Sequence, residues 1–219
     1  SAAATAVLVP WPGLAVMTTT SAPVERERAS INNAHASHLI LGHPGASWTT
    51  SAQLPALHAA GLSGQGQVVG LGDTGINVDS CSFKDYTKPV PYNFVGAEHR
   101  KIAAYWTLHG DAVDGPDGHG SHIAGSIASN SAALGREGSG IAPEARLAIV
   151  DLEMANRPGH YGIPENDIGG SYFDLLWHAG AAVACSPWGY THNEALDLSV
   201  DRYAWENPEF LPIFPSGNS

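Results

Sequence analysis

The chain has 219 residues, enough for one substantial core or one domain with a tail, and its hydrophobic content of 43% is ordinary for a globular protein. Charged residues make up 14%, with 21 Asp and Glu against 10 Lys and Arg, a formal net charge of −11. No basic stripe is present to neutralise phosphates, so nucleic acid is not an expected partner, and the dispersed acidic residues read as a solubilising surface.

No apolar run approaches the roughly 18 residues needed to cross a bilayer, so no transmembrane segment is expected. Residues 2–17 are apolar, but Pro10 and Pro12 interrupt them and no basic flank precedes them, which makes a poor signal peptide. The chain begins with Ser rather than Met and ends soon after a strand-like run, so both ends read as cut. Cys81 and Cys185 fit no metal or redox spacing and leave a disulfide and two free thiols equally open. There is no Asn-x-Ser/Thr sequon, and so no glycosylation argument for secretion.

Residues 1–50 lack sustained periodicity and are expected to form a linker or propeptide-like segment, followed by a domain over 51–219. From Leu54 the pattern alternates. A short helix is expected over 54–60, strands over 67–71 and 101–108, a small-residue helix over 119–130, and a strand over 145–152. A helix over 172–179, a buried strand over 181–185, a helix over 196–205 and a last strand over 210–214 complete the pattern. Strand and helix alternating through short loops predict an α/β fold, a doubly wound and mostly parallel sheet with helices on both faces, incomplete at its C-terminus.

Two segments carry chemistry. The run Val68-Val69-Gly70-Leu71-Gly72 ends in Asp73-Thr74-Gly75, placing a carboxylate at the carboxyl end of a strand, where open α/β folds build their sites. Downstream, His119-Gly120-Ser121-His122-Ile123-Ala124-Gly125 opens a helix whose small residues allow close approach to a sheet. A buried Asp that orients a His is two thirds of a hydrolytic triad, and Asp, His, then Ser is one of its known chain orders. Competing readings are a turn carboxylate, a helix-capping His, a metal site on Asp117, His119 and His122, and an aspartic-protease Asp-Thr-Gly. The last normally has Ser or Thr where Ile76 stands. A third piece is Asn218, after Ser216-Gly217 at the end of an apolar strand, whose amide could donate to an oxyanion.

These strings together resemble the subtilisin-like serine proteases, the subtilases (peptidase S8). Residues 68–76 resemble the family's Asp motif, 119–125 its His motif, with Ser121 where Thr is commoner, and Ser216-Gly217-Asn218 its oxyanion segment. Residues 140–145 and Ser186-Pro187-Trp188-Gly189 resemble a turn-and-strand start and the substrate-binding strand, and the whole likeness covers about 54–219. It implies that Asp73 orients, His119 is the general base and then acid, and Asn218 is an oxyanion donor. Trp188, Gly189 and Gly217 would line a groove that takes an extended polypeptide as an added strand.

There are departures. Pro187 stands where Ser is usual, Pro215 is unusual beside Gly-Asn, and residues 86–109 look like an insertion. The resemblance further implies a Ser segment beyond Ser219. The intact protein is then expected to be a serine endopeptidase, with this stretch alone inactive. The alternative is a catalytically inactive, peptide-binding subtilase-like domain. No cofactor and no metal ligand set is expected; several family members bind structural calcium, and no ligands for it stand out here. The resemblance and the low lysine content point to an extracellular or vesicular, secretory location.

Overall fold

The structure, a computed structural model, describes residues 15–18, 56–108, 111–130, 139–163, 167–189 and 193–216. In chain order the strands are β1 (Ala15–Thr18), β2 (Val68–Asp73), β3 (Ile102–Thr107), β4 (Arg146–Asp151), β5 (Glu153–Met154), β6 (Arg157–Ile163), β7 (Ala181–Cys185) and β8 (Leu211–Ile213). The helices are α1 (Ala56–Ala59), α2 (His119–Ala128), α3 (Asp174–His178) and α4 (Glu194–Glu206). One sheet holds five strands in the order β3-β4-β2-β7-β8, and every neighbouring pair runs parallel.

The sheet is parallel because its strands are apolar on both sides. In β4, Leu147 and Ile149 join one core cluster while Ala148 and Val150 join another. The first cluster includes Ala124 and Ala128 of α2, and the second includes Leu176 of α3 and Leu196 and Tyr203 of α4. Helices therefore cover both faces, and the α/β expectation holds.

Several boundaries differ for local reasons. α4 starts two residues before the expected 196 because the Asn193 side chain caps it, accepting from the Ala195 and Leu196 amides at 3.1 and 3.3 Å. The helix expected over 172–179 opens as a π-turn, Gly169–Phe173, and becomes α-helical only at Asp174. Part of the suspected insertion folds back on the open edge of β3: the Asn93 amide donates to Tyr105 O and the Gly96 amide to Ala103 O, both at 2.8 Å. Such cover blunts an exposed edge.

A second, antiparallel sheet, β1-β6-β5, has no counterpart in the sequence reading. β5 follows one residue after β4 and turns back through β6, and β1 pairs with β6 so that Met17 lies opposite Tyr161. Cys81 and Cys185 are both free thiols. Among the described residues no helix is long and apolar enough to cross a membrane.

Candidate active site

β2 delivers Asp73 to the carboxyl edge of the large sheet, in register with Asp151 at the end of β4. The chain then turns sharply at Gly75, whose φ of 83° lies in the left-handed region that favours glycine. The Asp73 carboxylate is fully buried. Its Oδ1 accepts the Thr74 amide at 2.7 Å, the Tyr161 hydroxyl at 3.1 Å and His119 Nδ1 at 2.9 Å, and Oδ2 lies 3.1 Å from the same Nδ1.

His119 is the first residue of α2, and a set of short bonds ties that end of the helix to the β2 exit. The Gly120 amide donates to Thr74 Oγ1 at 3.1 Å, and the Thr74 hydroxyl donates to Asp114 Oδ1 at 3.0 Å. The Ser121 amide donates to Asp114 Oδ2 at 3.0 Å, and the Asn77 amide to Ser121 Oγ at 2.7 Å. Helix N-terminal amides lack partners inside the helix, so Thr74 and Asp114 supply them, and the Asp114 charge also suits the positive end of the helix dipole. Gly120 has no room for a side chain, because a Cβ there would run into the Gly75 carbonyl oxygen.

The electrostatics follow from these contacts. The hydrogen bond to Asp73 raises the His119 pKa above its ordinary 6.5, burial opposes the rise, and the Asp73, Asp117 and Asp114 charges add to it. A carboxylate can only accept, so His119 Nδ1 carries the proton and Nε2 holds the free lone pair of the neutral ring. No described residue occupies Nε2, and the side chain is 36% exposed where that of Asp73 is 0% exposed. Next door, burial and the nearby Asp111 charge push Asp151 up to about 8. At neutral pH it keeps its proton and adds no second charge beside Asp73.

Asp73 and Asp151 face different partners. Asp151 accepts from the Tyr105 hydroxyl at 3.4 Å and the Glu153 amide at 3.1 Å, so the two carboxyls are not joined as an aspartic-protease pair. Among the described residues no group of three or more His, Cys, Asp or Glu side chains is arranged to hold a metal ion.

Of the groove residues, Trp188 turns inward. Its ring is 3% exposed, its Nε1–H donates to Gly72 O at 2.9 Å, and it meets Tyr161, Tyr172 and Phe214 with centroids 6.4, 6.2 and 5.2 Å apart. Gly189 has open space where a side chain would stand, beside a cleft whose walls include Trp188, Val200 and Phe214. Gly217 and Asn218 lie outside the described residues. Tyr161 is the site residue that sequence reasoning missed; it sits in a Pro- and Gly-containing stretch, Pro158-Gly159-His160-Tyr161-Gly162, that reads as a loop.

The chain is also similar to known proteins. The model of the subtilase family (peptidase S8) matches residues 64–219. The chain is 34% identical over 181 residues to the serine protease/ABC transporter B family protein tagA of Dictyostelium discoideum, covering 80% of this chain and 10% of tagA. To tagD and tagB of the same organism, with the same description, it is 34% and 33% identical, covering 72% of this chain and 9% of each. It thus spans about a tenth of the length of the curated relatives it matches. On the family match and these identities, the chain belongs to the subtilase family of serine peptidases.

Proposed function

We propose that the intact protein is a serine endopeptidase in which Asp73 orients His119, His119 moves the protons, and the nucleophilic Ser is supplied by chain beyond Ser219. One observation carries this reading. His119 Nδ1 is 2.9 Å from a fully buried carboxylate, while Nε2 is left to a ring that is one-third exposed. That is the arrangement a base needs to take a proton from an incoming hydroxyl.

In the proposed reaction the Ser Oγ bonds to the scissile carbonyl carbon while Nε2 takes the hydroxyl proton. The tetrahedral oxyanion is met by the Asn218 amide. The C–N bond then breaks as Nε2–H gives its proton to the leaving amine, and an acyl-enzyme remains. Water attacks the acyl carbon, its proton passing to Nε2, and Ser leaves with that proton. The substrate is an extended polypeptide that pairs along residues 186–189 and 217 as an added strand, with Gly189 leaving the space for its backbone.

The test is hydrolysis of unfolded casein by the full-length protein and by its His119→Ala and Asp73→Ala variants. Both should lose on the order of 10⁴-fold or more in kcat/KM while keeping the far-UV circular dichroism of the parent. Undiminished hydrolysis in either variant would overturn the assignment. If the parent itself binds peptide without cleaving it, the inactive peptide-binding domain replaces the enzyme.

A further inference from the structure

Asp73 collects its hydrogen bonds unevenly. Among the described residues, three donors converge on Oδ1, whereas Oδ2 has only the longer contact with His119. The Thr74 amide is the next residue in the chain, and His119 is the partner the site is built around. The third donor, the Tyr161 hydroxyl, comes from β6, 88 residues away. A buried hydroxyl needs some partner, but it does not have to be this one.

The surroundings hold Tyr161 where it is. Its ring is fully buried and meets Trp188 edge-on. The Trp188 indole N–H bonds the carbonyl of Gly72, immediately before Asp73. The touching pair therefore grips the end of β2 twice, once by a backbone carbonyl and once by the catalytic carboxylate. Burial, and next the Asp73 charge, push the phenol well above its ordinary range, so it remains a donor at any working pH.

We propose that Tyr161 is a positioning residue: its hydroxyl fixes the rotation and the charge of the Asp73 carboxylate, and through it the basicity of His119. This rests on reading Asp73 and His119 as orienting group and base. The physics has two parts. A donor on Oδ1 stops the carboxylate from rotating away from Nδ1, and a small misplacement in such a site is costly in rate. The same donor shares the carboxylate's charge, leaving less of it to hold the imidazolium. Removing it should misorient the pair and, at the same time, make His119 harder to deprotonate.

The experiment compares the full-length parent, Tyr161→Phe, the protein carrying 3-fluorotyrosine at position 161, and His119→Ala, by kcat and KM against pH and by melting temperature. Tyr161→Phe should lower kcat on the order of tenfold, with KM within about twofold. Its acid limb should move up by about half a pH unit. The fluorinated phenol is more acidic and a stronger donor, so it should move the limb the other way; it also carries the test if the Phe variant does not fold. A hydroxyl that only satisfies its own burial would alter the melting temperature and leave the limb in place. An unmoved limb and near-parental kcat in both variants, with His119→Ala inactive, overturn the role of Tyr161 alone. Parental activity in His119→Ala overturns the underlying assignment, and this proposal with it.

Discussion

In the proposed mechanism His119 has two opposed tasks, to be held firmly by a negative partner and to be neutral when a proton must be taken. The hydrogen bond to Asp73 favours the imidazolium, so the folded ring keeps its proton to a higher pH than the unfolded chain does. The sign of the linkage follows. The pair's contribution to stability is complete below the ordinary value of 6.5 and is lost as pH rises through the folded value above it. Activity runs the other way, because the base must be neutral, so the account predicts a kcat/KM that climbs through a single group titrating above 6.5. A pH–rate profile of the full-length protein checks this, and an acid limb at or below that value would contradict it. Burial and the Asp111 charge push Asp151 up to about 8, so below neutrality it stays protonated and adds no charge beside the pair.

At the scale of elements, the helix that carries His119 is positioned by the absence of side chains as much as by their presence. Ala124, Gly125 and Ala128 are buried, the two alanines in one cluster with Leu71, Leu147 and Ile149 of the sheet, and Gly120 lies against the Gly75 carbonyl. Gly120→Ala should therefore push the first turn of α2 off the β2 exit. The expected cost is about 1–3 kcal/mol of stability, together with a loss of activity out of proportion to it, read by denaturant unfolding and casein hydrolysis of the same samples. A variant with parental stability and rate would show that the contact is not tight. This part of the site was legible in the sequence, because an apolar run ending in Asp and a small-residue helix opening on His are local patterns. What was not legible depended on distant pairing. β6 is a strand only because β5 and β1 bond to it, and its glycines and Pro158 hide any alternation. Tyr161 was missed with it, since its partner is 88 residues away. The inward turn of Trp188 was missed for a similar reason: its sequence neighbours fit a groove, while its ring finds Gly72 and three aromatic rings in the core.

On the scale of the whole molecule, the parallel sheet brings Asp73, Trp188 and the end of β8 to one edge, because β2, β7 and β8 are adjacent and point the same way. Parallel order is what lets residues far apart in sequence meet at a single edge. The central claim is that this edge activates a serine supplied by chain beyond Ser219. The most direct measurement is labelling of the full-length protein with a fluorophosphonate, which bonds covalently to an activated serine hydroxyl, followed by peptide mapping of the adduct. The account predicts one labelled Ser, C-terminal to residue 219, and loss of the label in His119→Ala. No label on a folded parent protein, or a label undiminished in His119→Ala, would contradict it.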